Sequence, residues 1–252
     1  MLHNRRKFIG MAALTSGALT MAGNLFGRNK IETDEEGLPR IIRELKPLEG
    51  GVVPISVEER KQRIARAQEL MAQEKIDAIF MEGTTSSFYF TGMRWGQSER
   101  TFGLVIPAKG AVAYVCPKFE EDRARELIPV AFGDEVRCWE EHESPYATIV
   151  GIVKDRGAKF KRIGIEERVR FFIADGVRKA AAGFEVVDAT PITAGCRMYK
   201  SKAEIALMQK ASDITIEAYK AALSTIRPGM PQAEFSANIS SAFRQLGYSG
   251  GA

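Results

Sequence analysis

The sequence predicts an α/β fold in which a mixed sheet lies between helices, and three observations lead to that prediction. Short runs rich in β-forming residues alternate with longer segments of helical periodicity, a pattern that indicates crossover connections and parallel strands. Two of the runs, TFGLVIP and AVAYVCP, are separated only by Ala108-Lys109-Gly110, which is typical of an antiparallel hairpin. The helical segments begin at recognisable capping signals. A parallel portion with an added hairpin is therefore expected.

The first predicted helix begins at a capping-box pattern. Ser56 and Glu59 have the S-x-x-E spacing and precede VEERKQRIARAQELMAQEK, which we expect to be helical. The run IDAIFM then predicts a buried strand, and SSFYFTG predicts a second strand closed by Gly92. The apolar stripe of the helix is formed by Ile64, Ala67, Leu70 and Met71.

Helices and strands alternate after the hairpin. A helix is predicted over Phe119–Ile128, and Ser144-Pro145 is a good start for another that runs to about Asp155. A third is expected over Arg170–Ala182, ended by Gly183. The intervening runs EVRCWE, RIGIEE and FEVVDA are the remaining predicted strands. Together these elements form a complete α/β domain, which we place at residues 55–196.

The last part of the sequence changes character. Ser201 and Glu204 form another capping box, and RPGMP interrupts the helical pattern before Pro231 restarts it at its first position, with Gly247 as the final stop. The first helix has its apolar positions at Ile205, Met208, Ala211, Ile214, Ala218 and Ala222, and the second at Phe235, Ile239, Ala242, Phe243 and Leu246. Two helices cannot close a core, so residues 197–252 are expected to be the start of an incomplete second domain. The alternative is a helical hairpin packed on the α/β domain.

The first residues have the layout of an export signal. Arg5 and Arg6, with Phe8 two positions later, resemble a twin-arginine motif. The apolar run that follows is too short to span a bilayer. We expect residues 1–27 to be a signal read by the twin-arginine translocation machinery, which implies a periplasmic or otherwise exported protein. Residues 28–54 are expected to be a linker or surface strap, and the alternative for the N-terminus is a basic tail without a targeting role.

Composition narrows the function classes. The formal net charge is only +4, and no basic stripe with interleaved aromatic residues occurs, so nucleic-acid binding is not expected. The three cysteines are widely separated in the sequence and form no CxxC pair, which argues against a structural zinc site and favours buried thiols. We expect the acidic pairs Glu120-Glu121, Glu140-Glu141 and Glu166-Glu167, and likewise His142, to be solvated rather than to bind a metal.

Three segments carry a family resemblance. The stretch from Tyr199 to Tyr248 resembles the opening of the catalytic domain of the aminopeptidase P, prolidase and creatinase family. SSFYFTG resembles that family's Y-x-T-G segment, and GIEE at Gly164–Glu167 resembles its i-G-x-E strand. The likeness covers about residues 55 to 252. The matching positions in the catalytic-domain segment are Lys200, Ser201, Glu204, Ile205, Ala211, Gly229, Glu234 and Gly247.

The resemblance implies a creatinase-like N-terminal domain followed by the first two helices of a pita-bread domain. In peptidase members that second domain binds two divalent metal ions (Mn, Co or Zn) through two Asp, one His and two Glu. The metals activate a bridging water and polarise the scissile carbonyl. No residue of this sequence matches one of those ligands, so no catalytic or metal-binding residue is assigned, and metals are expected only in a complete protein.

The resemblance also implies that the complete protein cleaves peptide bonds next to proline, and that it could form a homo-oligomer through the N-terminal domain. In the family this domain borders the catalytic cleft. We therefore expect Tyr89, Arg94 and Trp95 to bind substrate at its entrance, and the alternative is turn packing with a surface Arg–Glu pair. Two other functions stay open: a non-catalytic module that binds peptides or proteins, and a metal-free amidinohydrolase resembling creatinase.

Overall fold

The protein was studied as a computed structural model, which describes residues 37–133 and 135–248. The expected export residues Arg5, Arg6 and Phe8 lie outside the described residues. The chain divides into two compact units, one formed by residues 52–208 and the other by residues up to 51 together with those from 209 onward. Of the helices that the structure describes, none is long and apolar enough to cross a membrane.

The elements follow one another much as the alternating pattern predicts. In chain order they are α1 (Arg40–Arg43), α2 (Val57–Glu74), β1 (Ala78–Glu82), α3 (Thr85–Thr91), β2 (Gly103–Pro107), β3 (Ala113–Pro117), α4 (Glu121–Leu127), β4 (Val136–Trp139), α5 (Pro145–Asp155), β5 (Arg162–Ile165), α6 (Phe171–Ala180), β6 (Glu185–Asp188), α7 (Thr190–Arg197), α8 (Lys202–Leu223) and α9 (Gln232–Gln245).

The six-stranded sheet has the order β4-β3-β2-β1-β5-β6. Strand β2 pairs antiparallel with both β1 and β3, and the pairs β1–β5, β5–β6 and β3–β4 are parallel. The mixed sheet and the β2–β3 hairpin are therefore confirmed. Because β1, β5 and β6 are parallel, their carboxyl ends meet at one edge of the sheet, which is where α/β folds place ligand sites.

Alternate residues of the strands pack into two apolar clusters on opposite faces of the sheet. Ile79 and Met81 of β1 belong to the cluster that also contains Ala67 and Met71 of α2. Phe80, between them, belongs to the cluster completed by residues of α5 and α6. The β1 strand is buried on both faces, as its continuous apolar run predicts.

The segment SSFYFTG is a helix, so the prediction of a second strand there is wrong. Thr85–Thr91 forms α3, which ends at Gly92 in the left-handed conformation with φ +81°. A run rich in aromatic residues forms a strand only when a partner strand is within reach, and the sheet positions beside β1 are taken by β2 and β5. The sequence patterns also do not predict α7, which lies between β6 and α8.

The smaller unit has its own apolar cluster. Ile42 of α1, which is completely buried, packs in it with residues of α8 and α9. The Leu48 amide donates to the Leu246 carbonyl at 3.1 Å, and the Tyr248 hydroxyl donates to the Leu48 carbonyl at 2.8 Å. Part of the expected strap is therefore a core component of this unit. Pro231, expected as the first helical residue, instead precedes α9 as its N-cap.

Helix α8 has two apolar faces rather than the single stripe that the sequence predicts. At about 100° per residue, the buried positions fall on one side of the helix. The exposed apolar positions fall within about 80° of arc on the other side. The buried positions are Ile214, Ala218, Ala221 and Ala222, and the exposed apolar ones are Ile205, Met208, Ile216, Tyr219 and Leu223. Ile205 and Met208, expected in the buried stripe, are each 57% exposed.

Candidate functional site

Two buried glutamates stand at the carboxyl ends of neighbouring parallel strands. Glu82 ends β1 and is 1% exposed. Its carboxylate accepts two hydrogen bonds from the Arg170 side chain, at 2.7 and 3.0 Å, and one from the Arg170 backbone amide at 2.9 Å. Glu166 follows β5, is also 1% exposed, and accepts from the Ser86 hydroxyl at 2.6 Å and from the Arg168 amide at 3.0 Å. Burial raises the pKa of Glu166. Through these hydrogen bonds, the two carboxylates hold the segments that follow β1 and β5 in place at this edge of the sheet.

The expectation of solvated acidic pairs is wrong at Glu166 and holds only in part at Glu120 and Glu121. Glu167, next to Glu166, is exposed, as are Glu140, Glu141 and His142. Glu120 and Glu121 are half-buried, with side chains only 16% and 19% exposed, and they form ion pairs with nearby cations. Glu166 is buried because it directly follows β5, a strand inside the sheet, where the loops at the sheet edge enclose it.

Two arginines of α2 hold the carboxyl end of α3. Arg60 donates to the carbonyls of Phe88 and Tyr89, and Arg63 donates to the Tyr89 carbonyl at 2.9 Å. The Arg60 guanidinium also lies over the Phe88 ring, 4.9 Å from its centroid, and that of Arg63 lies over the Tyr89 ring at 4.1 Å. A Cβ atom at Gly92 would lie 3.1 Å from the Arg60 guanidinium, so the glycine leaves room for this contact.

An open cleft of about 540 Å³ borders these residues within the α/β unit. We call it the arginine cleft, and it extends from the surface of α3 to the segment that joins α7 to α8. The residues that give it its charge and shape are Arg60, Arg63, Tyr89, Arg197, Lys200 and Glu204.

The positive charges of the arginine cleft are only partly neutralised. Arg63 is 8% exposed and pairs with Glu59 at 2.6 Å and Glu204 at 3.3 Å. Arg60 and Lys200 bond instead to backbone carbonyls, and within residues 37–133 and 135–248 neither has a carboxylate at ion-pair distance. Burial lowers the pKa of Arg60. A charge that is desolvated and lacks a counter-ion favours an incoming carboxylate.

The predicted capping box at the start of α8 is confirmed and forms part of this site. The Glu204 amide donates to the Ser201 hydroxyl oxygen at 3.1 Å, and the Glu204 carboxylate accepts from the Ser201 amide at 2.8 Å. The Ser201 hydroxyl in turn donates to Glu59 on α2 at 2.8 Å. The box therefore starts the helix and also ties its first turn to α2 beside Arg63.

A second recess of about 440 Å³ lies beside the arginine cleft, and we call it the Trp95 recess. The Trp95 ring stacks on Phe102 with 3.8 Å between centroids, and the Arg123 guanidinium lies 4.5 Å from the Trp95 ring centroid. Gly83 is required here, because a Cβ atom would lie 2.8 Å from the Trp95 side chain. Exposed Arg94 completes the wall and lies over the Phe88 ring at 4.6 Å.

The structure does not bring Tyr89, Arg94 and Trp95 into one pocket. Tyr89 lines the arginine cleft, whereas Arg94 and Trp95 line the Trp95 recess. Thr85 and Phe88 line both, so the two depressions adjoin. The Tyr89 hydroxyl donates to the Cys196 carbonyl at 2.8 Å, and burial raises the pKa of Tyr89 to about 12. Because the Tyr89 hydroxyl is already hydrogen-bonded within the protein, a ligand would contact Tyr89 through its ring.

The surface Arg–Glu pair expected as the alternative exists at a different arginine. Arg100 pairs with Glu141 at 2.6 Å and with Glu99, whereas Arg94 contacts the Phe88 ring. The Trp95 ring itself contacts Phe102 and the Arg123 guanidinium.

Sequence reasoning missed Arg60, Arg63 and Arg197. On an amphipathic helix, Arg60 and Arg63 have the spacing of solvated side chains, and only the position of α3 shows their role. Lys200 and Glu204 both match the family's catalytic-domain segment, and Glu204 also belongs to the capping box, but neither feature indicates a cleft.

The described residues offer no metal site. Within residues 37–133 and 135–248, no group of three or more His, Cys, Asp or Glu side chains is placed to hold a metal ion. The residues present therefore do not fit the dinuclear centre that the resemblance implies, and no chemical step is assigned to a metal here.

Fold and site together define a mixed α/β domain with a cationic cleft at the carboxyl edge of its parallel strands. Residues 63–199 match the family model described as the creatinase/prolidase N-terminal domain. The chain belongs to the creatinase/prolidase N-terminal domain family.

Relatives agree with this assignment. An uncharacterized peptidase of Schizosaccharomyces pombe is 32% identical over 209 residues, which cover 78% of this chain and 45% of that protein. An uncharacterized peptidase of Staphylococcus aureus is 22% identical and is covered over 50% of its length. The chain thus spans about half the length of these curated relatives.

Solved structures show the same fold. Dipeptidase PepE from Mycobacterium ulcerans superposes with a TM-score of 0.67 at 23% identity, covering 75% of this chain and 50% of that one. A prolidase from Thermococcus sibiricus gives a TM-score of 0.62 at 20% identity and covers 73% and 49%. The predicted fold class and family are confirmed.

Proposed function

We propose that this chain is the N-terminal part of an Xaa-Pro aminopeptidase- or dipeptidase-like metallohydrolase. The observation that carries the proposal is the family match at residues 63–199, together with peptidase relatives of about twice the matched length. In the proposed complete protein, a catalytic domain follows the α/β domain and hydrolyses peptide bonds next to proline. Residues 197–252 are its first two helices.

The two faces of α8 support this proposal. A helix that is apolar on opposite sides is usually buried on both. Ile216, Tyr219 and Leu223 are 49%, 38% and 53% exposed on the side away from the apolar cluster of their unit. The remainder of a pita-bread domain would cover them.

Two divalent metals would supply the catalytic water in the complete protein, on ligands outside these residues. The proposed role of the present chain is to bind the peptide. The arginine cleft would attract a carboxylate through Arg60 and Lys200, and the Trp95 recess would hold an apolar side chain beside Met93 and the edge of Trp95.

A second candidate is a non-catalytic module that binds peptides. The observation in its favour is that the arginine cleft combines unneutralised cations with the partly buried rings of Phe88 and Tyr89, which suits recognition of a peptide. In this case the complete protein would bind peptides without cleaving them.

Export and oligomer formation are further proposals. Arg5, Arg6 and Phe8 support twin-arginine export to the periplasm. We expect that changing both arginines to lysine abolishes export of the complete protein, and normal export of that variant would contradict the proposal. A homo-oligomer through the N-terminal domain is proposed from the family resemblance alone, and sedimentation would test it.

The decisive experiment compares this chain with the complete protein. We expect chelator-sensitive cleavage of Xaa-Pro peptides by the complete protein and no cleavage by the 252-residue chain. Cleavage by the chain itself would overturn the division proposed here. Binding without cleavage by the metal-loaded complete protein would favour the non-catalytic module.

Variants of the complete protein test the binding role. Arg60→Gln and Lys200→Gln should raise KM several-fold for peptides with a free carboxylate and leave kcat nearly unchanged. Arg66→Gln is the matched control, because Arg66 lies on the same helix, is 52% exposed and pairs with Glu69. The same assay applied to Arg94 and Trp95 tests the Trp95 recess, and unchanged KM and kcat would exclude a role for it.

A further inference from the structure

Two cysteines lie opposite each other on neighbouring strands. Strands β3 and β4 are parallel, and their register pairs Cys116 directly with Cys138. Neighbouring strands lie about 4.8 Å apart. A disulfide requires a Cα separation of roughly 4.4–6.8 Å. The backbone therefore already places the two residues at disulfide distance.

The two thiols also point to the same face of the sheet. Cys116 belongs to the apolar cluster on the α2 side, and Cys138 packs against that cluster. Their chain neighbours Val115 and Trp139 belong to the cluster on the opposite face. Both cysteines are free thiols in this structure, and Cys138 is the more exposed of the two.

We propose that Cys116 and Cys138 are an oxidative modification site, at which a low-molecular-weight disulfide such as oxidised glutathione converts the two thiols to a reversible disulfide. The Cys138 thiolate attacks one sulfur of oxidised glutathione and releases one glutathione thiolate. The Cys116 thiolate then attacks the Cys138 sulfur of the mixed disulfide and releases the second. The two cysteines lose two protons and two electrons, and the oxidant takes them up as two glutathione thiols.

The surroundings set the speed of this reaction. Burial raises the pKa of Cys116 to about 12, and burial followed by the adjacent Glu121 carboxylate raises the pKa of Cys138. The thiolate is the nucleophile, so oxidation is slow at neutral pH and accelerates as the pH rises. The charged groups that face the pair are Lys118, Glu120, Glu121 and Arg125.

The disulfide would restrain the segment that supports the Trp95 recess. Residues 117–137 lie between the two cysteines and include α4, whose Arg123 covers the Trp95 ring. Closing a loop of this length restricts the unfolded chain, so the oxidised protein should melt about 5–10 °C above the reduced one.

The test uses the purified 252-residue chain incubated with oxidised glutathione at mildly alkaline pH, then alkylated and denatured. The free thiols should fall from three to one and return to three with dithiothreitol. Non-reducing trypsin digestion should yield a linked pair of peptides, residues 110–118 and 138–154.

Three variants make the test specific. Cys196→Ser should still form the link, because Cys196 lies on α7, whereas Cys116→Ala and Cys138→Ser should not. If Cys116→Ala fails to fold, Cys138→Ser at the more exposed position gives the same answer. Three thiols that stay free, a link to Cys196, or a stable glutathione adduct on Cys138 would each overturn the proposal.

Discussion

The ion pair between Glu82 and Arg170 should be a main determinant of stability at the edge of the sheet that carries the site. The perturbation is Arg170→Met, which keeps the apolar stem and removes the guanidinium. It deletes two hydrogen bonds to Glu82 at 2.7 and 3.0 Å and one to the Ser98 carbonyl at 2.7 Å. Glu82 is then left 1% exposed with only the backbone amide of residue 170 as a nearby donor.

The expected magnitude follows from this geometry. Removing one partner of a fully buried pair costs about 3–5 kcal/mol. The Arg170 side chain is 30% exposed, so water can enter and reduce that cost. We expect a loss of about 3 kcal/mol in the free energy of unfolding, which lowers Tm by about 6–12 °C in a chain of this size.

Urea unfolding at neutral pH, followed by circular dichroism, measures the effect. The matched control is Arg178→Met in α6, the helix that Arg170 precedes as N-cap; Arg178 is 63% exposed and pairs with Asp175, and its cost should stay within about 0.5 kcal/mol. The double variant Glu82→Gln/Arg170→Met should be more stable than Arg170→Met, because the stranded charge is gone. A single-variant cost below about 1 kcal/mol, or a double variant no more stable than the single one, would refute this reasoning.

Further predictions concern Glu166 and Gly103. The pKa of Glu166 is raised in the folded state, so its stabilising effect relative to Glu166→Gln is fully present below the ordinary pKa of a glutamate and is lost as the pH rises through the raised value. Parallel melts of the two proteins at several pH values measure this, and a constant difference in Tm would contradict it. Gly103→Ala should cost about 1–3 kcal/mol, because its Cβ would lie 2.5 Å from the Met81 carbonyl oxygen, whereas Gly96→Ala, with nothing within 4 Å, should cost little. Urea unfolding of both alanine variants measures the two losses of stability. Equal losses would contradict the prediction, because they would show that strand β2 shifts to accommodate the added methyl group at little cost.

Much of the fold could be predicted because local signals and tertiary structure agree. Ser56 caps α2, Ser144 caps α5, and the short connection after β2 forms the hairpin. These features depend on residues a few positions apart in the chain.

The errors occur where distant residues decide the structure. The aromatic residues of SSFYFTG favour a strand, but Arg60 and Arg63 hold the carbonyl end of this segment as a helix. Glu166 looked like one half of a solvated pair, yet it accepts a hydrogen bond from Ser86, eighty positions earlier in the chain. No pattern within a short window contains such partners.

The candidate site was harder to predict than the fold for the same reason. Tyr89, Arg94 and Trp95 are close in sequence, and the short helix nevertheless directs Tyr89 to the arginine cleft and the other two to the Trp95 recess. The cations that give the arginine cleft its charge come from α2, from the last residue of α7 and from the segment after it, which only the sheet topology brings together. A loop position can therefore suggest where binding groups are displayed, but the chemistry of the cleft follows from long-range packing. If peptide binding depends on Arg60 and Lys200 more than on Arg94 and Trp95, the fold rather than the local motif determines recognition in this domain.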